Sequence, residues 1–156
     1  FSPLGELPLL NTLSISNSDI SDLSSFPFIA SLVNLSLYDN SINDVRPLQV
    51  NSQLTNLSLY NNAISDVSQF QPFTNLDSLF LSNNVITDVS ALSQNTSLRA
   101  LDLSDNQVND GIIELETLTR ILALDLRENK PGSCIEYAQL LLKLGPVLLF
   151  NQCTFP

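Results

Sequence analysis

The sequence predicts an α/β solenoid built on a parallel β-sheet. Short 3₁₀ or irregular turns complete each coil, and a helical segment follows at the carboxyl end. Three observations predict it. A 22-residue unit recurs along most of the chain, each unit opens on the same alternation of leucines, and the last segment switches to helical spacing.

The units are LNTLSISNSDISDLSSF from Leu10, LVNLSLYDNSINDVRPL from Leu32, LTNLSLYNNAISDVSQF from Leu54, LDSLFLSNNVITDVSAL from Leu76 and LRALDLSDNQVND from Leu98. They start 22 residues apart. A sixth, ILALDLREN from Ile121, follows after 23, and Gly111 is the extra residue. Ahead of them Phe1 aligns with Leu23 and Leu4 with Phe26, so residues 1–9 read as the second half of a repeat, with further repeats or a cap expected upstream. The repeats thus span residues 1–130 and the cap 131–156.

Within each unit the apolar residues hold fixed offsets. Leu35, Leu37, Ile42, Val45 and Leu48 recur as Leu57, Leu59, Ile64, Val67 and Phe70. Alternation around Leu57 and Leu59, with Ser58 and Tyr60 pointing the other way, is strand-like. So short a strand must pair with the same segment of the next coil, giving parallel rungs about 4.8 Å apart. The other half of each coil is too short for a long helix.

Two polar columns run through the units. Ser18, Asn40, Asn62, Asn84, Asn106 and Asn129 follow the strands, where backbone groups lose their ladder partners and an amide can both donate and accept. Ser18 breaks this ladder, so a looser first turn is expected. Asp22, Asp44, Asp66, Asp88 and Asp110 form the second column. One carboxylate per coil favours capping of the following turn over calcium binding. Asn51 and Asn95 occupy a place that Ile29 and Phe73 fill elsewhere. A buried unpaired amide is costly, so those two turns are expected to open toward solvent. Asn34, Asn56 and Asn95 each begin an Asn-x-Ser acceptor sequence, read as incidental, with Asn95 expected to be the most accessible.

The pattern LxxLxLxxNxIxD(V/L)xxL at period 22 resembles the leucine-rich repeats of the short class, SDS22-like and internalin-like, over nearly the whole chain. The resemblance implies a curved parallel β-sheet lining the concave face, short turns on the convex face, an asparagine ladder, and a carboxyl-terminal helical cap. At that end Lys130-Pro131-Gly132 breaks the pattern, and Ile135, Ala138, Leu141 and Leu142 follow at helical spacing. Gly145-Pro146 stops the helix, and residues 147–150 can pair as a final strand. Cys134 and Cys153 bracket the cap. A disulfide between them would stabilise by about 3 kcal/mol and imply an oxidising compartment; free thiols are the alternative.

Composition narrows the function. The 156 residues carry 16 acids against 6 bases, a net charge of −10, which disfavours a nucleic-acid partner. No apolar run is long enough to enter a membrane. There is no histidine, so histidine catalysis is out, and two cysteines alone make no usual zinc site; no metal or cofactor is expected. Low lysine with abundant Ser and Asn leans toward a secreted or cell-surface setting, with a cytoplasmic or nuclear one as the alternative.

Function is expected on the outward strand positions. Tyr38 and Tyr60 lie in register on neighbouring strands, where their rings can stack, and Phe80 sits one column over. Exposed aromatics on a rigid sheet suit interface anchors; a surface ladder that merely stiffens the sheet is the alternative. Asp77, Asp102, Asp105, Asp125 and Glu128, with Arg99 and Arg127 among them, make the later units acidic, which would steer a partner with a basic surface. The leading expectation is a non-catalytic module that binds a protein on the concave face. A structural spacer array within a larger protein is the alternative. An enzyme using Asp102 and Asp125 as paired carboxylates is remote, because an open face offers little to raise one pKa.

Overall fold

The computed structural model describes residues 2–130 and 134–149. Among these residues seven short strands form one parallel sheet in chain order: β1 (Thr12–Ser14), β2 (Asn34–Ser36), β3 (Asn56–Ser58), β4 (Ser78–Phe80), β5 (Ala100–Asp102), β6 (Ala123–Asp125) and β7 (Leu148–Leu149). Register follows the repeat, with Leu13, Leu35, Leu57, Leu79, Leu101 and Leu124 side by side. The chain returns along the back through 3₁₀ turns at Arg46–Asn51, Val67–Phe70, Ser90–Gln94 and Ile113–Thr117. This is the solenoid that the period requires.

The repeated apolar offsets build one continuous core. From the second unit onward the strand leucines and the Ile or Val that follows the turn are almost wholly buried, as in Leu57, Leu59 and Ile64. No single coil can enclose these side chains, so each is sealed by its neighbours and the core runs along the axis.

The asparagine ladder stitches the coils together. Asn84 is typical. Its Oδ1 accepts from the Ile64 N–H of the preceding coil at 2.8 Å, and its Nδ2 donates to the Leu59, Leu81 and Ser82 carbonyls. Asn40, Asn62, Asn106 and Asn129 repeat this arrangement. In the first coil Ser18 donates its hydroxyl only to the Ser16 carbonyl. That turn holds two left-handed residues, Asn17 and Asp19, where each later turn holds one.

The aspartate column caps turns. Asp22, Asp44, Asp66 and Asp88 each accept from the backbone N–H two residues on. Asp110 accepts instead from Gly111 N–H, because the extra residue falls there. Gly111 has φ +75°, and a Cβ on it would lie 2.3 Å from Ser90 N. Only glycine fits this site.

Two expectations need correction. Asn51 and Asn95 do not open their turns to solvent; they are 0% and 1% exposed. Their partners lie one coil back rather than in their own turn. Asn51 accepts from Ile29 N–H and donates to the Pro27 carbonyl, and Asn95 donates to the Phe70 and Phe73 carbonyls. Asn95 is therefore the least accessible of the three acceptor asparagines, not the most.

At the carboxyl end α1 (Cys134–Leu144) lies against the Ile113–Thr117 turn and stops at Gly145, whose φ of +73° ends the helix. The face it buries differs from the spacing first singled out. Tyr137 and Leu140 enter the core with Leu144 packed beside them, whereas Ile135, Leu141 and Leu142 are exposed. Tyr137, the bulkiest side chain of the helix, covers the last coil. Strand β7 then extends the sheet from β6. The proposed Cys134–Cys153 pairing lies outside the described residues. Among those described, no helix is long and apolar enough to cross a membrane.

Candidate functional site

Alternation turns three columns of side chains out over the concave sheet. Thr12, Asn34, Asn56, Ser78, Ala100 and Ala123 form one margin, and Ser14, Ser36, Ser58, Phe80, Asp102 and Asp125 form the middle. The third comprises Ser16, Tyr38, Tyr60, Ser82, Ser104 and Arg127. The ladder continues into it through bonds such as Asn17 N–H to the Tyr38 carbonyl and Asn61 N–H to the Ser82 carbonyl. Because backbone pairing fixes every column, the face is set before any partner arrives.

Tyr38 and Tyr60 stack with ring centroids 4.5 Å apart and planes 8° from parallel. The separation is close to the rung spacing, so the sheet itself imposes the stack. Burial, together with the neighbouring Tyr38 and Asp39, raises the Tyr60 phenol above its usual pKa, and the ring stays uncharged at neutral pH. Phe80, 38% exposed, rises from the middle column. Tyr60, Phe80 and Asp102 surround a shallow open hollow of about 500 Å³ with Ser58 and Ser82.

The acidic residues are less concentrated than their spacing in sequence implied. Asp102 and Asp125 are register partners on β5 and β6. Asp102 Oδ1 accepts from Ser104 N–H and Oγ, at 3.0 and 2.7 Å. Asp125 is gripped by Arg127, whose Nη2 is 2.5 Å from Oδ2 and whose Nε contacts both oxygens. Burial pushes the Asp125 carboxyl up, but the Arg127 hydrogen bonds outweigh it and hold the group below the usual carboxylate range. A general acid needs the opposite shift. Asp105 lies beyond the tyrosine column in a left-handed turn. Asp77 and Arg99, 3.9 Å apart, sit at the far margin, five residues or about 16 Å along the strand direction from the tyrosines. Tyr38, Tyr60, Phe80 and Asp102 are thus brought together, while Asp77 and Arg99 are not.

One further column escaped sequence reasoning. Asn17, Asp39, Asn61, Asn83, Asp105 and Glu128 all hold φ near +50°, immediately before the ladder position. Asn61 Nδ2 donates to Asp39 Oδ1 at 2.5 Å, and Asn83 Nδ2 donates to Asn61 Oδ1. This second polar ladder borders the tyrosine stack. Its signal was the run of Asn and Asp at one offset, the residue types that best tolerate the left-handed region.

A family model described as leucine rich repeat matches residues 52–108. The chain is a leucine-rich repeat solenoid. No curated protein matches it significantly. Among solved structures, an internalin (InlF) from Listeria monocytogenes is 24% identical with a TM-score of 0.69, over 100% of this chain and 58% of its own. Internalin C2 from the same species is 26% identical with a TM-score of 0.63, over 90% and 70%. The functional domain of InlJ, also from that species, is 22% identical with a TM-score of 0.68, over 94% and 40%. The present leucine-rich repeat chain therefore spans a little over half of the first structure and less than half of the third. All three are internalins, and the likeness supports the leucine-rich repeat fold. Leucine-rich repeats of this architecture are non-enzymatic folds that generally bind proteins.

Proposed function

We propose that the concave face docks a protein partner, with Tyr38, Tyr60 and Phe80 as its anchors. The stacked tyrosine pair beside an exposed phenylalanine carries this reading. These rings cover a solvent-facing sheet rather than a core, and large rigid side chains lose little entropy when buried by a partner. Around them Asp102 and Asp105 supply negative charge, while Asp125 and the more distant Asp77 are paired with Arg127 and Arg99. With a net charge of −10, the fitting partner presents a basic surface, and salt weakens the complex.

The test is a triple substitution, Tyr38→Ser, Tyr60→Ser and Phe80→Ser. Each change installs the residue that the same column carries on a neighbouring strand, so the fold tolerates it. Affinity capture with the wild-type chain and the triple variant, at low and high salt, should lose the same partner in the variant and at high salt while the melting temperature shifts little. A partner retained by the variant sinks the docking face and leaves the spacer reading.

A further inference from the structure

Resting on that docking face, we infer that the hollow between Tyr60, Phe80 and Asp102 receives an arginine side chain of the partner. Tyr38 covers one face of the Tyr60 ring. The next residue in that column is Ser82, too small to cover the other face, and the hollow opens above it with Phe80 as a second aromatic wall. A planar cation stacks on such a surface. The carboxylate of Asp102 lies on the same rim. Both of its bonds to Ser104 fall on Oδ1, which leaves Oδ2 to accept from a guanidinium.

The competing ligands fit less well. An anion meets Asp102 and a strongly acidic chain. A purely apolar side chain leaves that carboxylate desolvated and unpaired. Lysine brings charge but no plane to lie against Tyr60, and no fork for a carboxylate. The chain's own nearby guanidinium is already committed, since Arg127 contacts both oxygens of Asp125. The serine-floored trough on the other side of Phe80, lined by Ser14, Ser36 and Ser58, offers no charged group.

The probe is the capped peptide acetyl-Gly-Arg-Gly-amide, titrated into the intact chain at low salt. Tyrosine emission reports directly, because there is no tryptophan and only three tyrosines. Saturable binding is expected, weakened about tenfold or more when citrulline or lysine replaces arginine. Asp102→Asn keeps an acceptor for Ser104 and should abolish the preference for arginine over citrulline, and Phe80→Ser should weaken binding. Equal binding of the citrulline or lysine peptide, no binding of the arginine peptide, or an unaffected Asp102→Asn variant overturns the assignment. The two readings separate cleanly. A partner lost to the triple serine variant but retained by Asp102→Asn refutes the arginine pocket alone, whereas one retained by both refutes the docking face itself.

Discussion

Replacing Asn84 with alanine tests the inter-coil ladder at its most buried point. The side chain makes four hydrogen bonds and is 6% exposed. The bonds are not equal. Leu59 O also accepts from Asn62, and Leu81 O also accepts from Asn106, so each keeps one donor after the substitution. Ile64 N–H has Asn84 Oδ1 as its acceptor and sits in the core, where water cannot replace it. Stranding it costs about 1–3 kcal/mol, and the weakened carbonyls add about 1, so the expected loss is about 2–4 kcal/mol. Asn40→Ala is the internal control. Its Oδ1 serves Ser18 N–H and Ile20 N–H at the half-open first coil, where solvent substitutes, and the cost should be about 1 kcal/mol. Asn84→Asp should be at least as damaging as alanine, because a carboxylate cannot donate to three carbonyls. Urea unfolding followed by far-ultraviolet circular dichroism measures all three. A cost at Asn84 below that at Asn40 would refute the inter-coil account.

Three further outcomes are expected. Gly111→Ala should lower stability by about 3 kcal/mol in the same assay, since it combines a left-handed backbone with a Cβ pressed on Ser90 N and Asp88 Oδ1; an Ala variant as stable as wild type contradicts the geometry. Asn95 should remain unmodified when the chain is expressed in a glycosylating host, because it is buried and bonded to Phe70 and Phe73, and peptide mapping by mass spectrometry reads this directly. Asp22, Asp44 and Asp125 are held below their unfolded pKa, so their contribution to stability is present above about pH 4 and lost as pH falls through the depressed folded values. Asp125→Asn should therefore lower the melting temperature at pH 7 and converge with wild type in strong acid; a constant difference at every pH would be the contrary result.

Much of the fold was legible because a strict period leaves the chain little choice. Leu57 and Leu59 cannot both be buried by one coil, so the 22-residue step alone implies a stack, and β3 with its neighbours lies where the alternation puts it. The tyrosine stack followed from the same register. What misled was treating a polar residue as though its partners must be local. Asn51 is satisfied by backbone one whole coil earlier, as the ladder asparagines are, and Asn95 donates to the same backbone while its buried Oδ1 stays unpaired; that distance is invisible at the level of a single turn. Gln69 was overlooked for the same reason: it accepts from Val45 N–H and donates to the Asn43 carbonyl, both in the coil before. The acidic face looked denser in sequence than in space, because Asp77 sits at one margin of the sheet and Asp102 in its middle column. The rim of the cap helix shifted because Tyr137, rather than the aliphatic residues around it, fills the gap over the last coil.

The single inserted glycine leaves the front untouched. Asp88 and Asp110 still bridge at 22 residues, Val89 and Ile112 both stay in the core, and β5 and β6 remain aligned with Asp102 opposite Asp125. The slack is taken up at one rib on the outer arc. That arc is the place to hang a fluorophore or an affinity handle: a passenger there would ride behind the molecule, with the grid of side chains in front keeping its spacing.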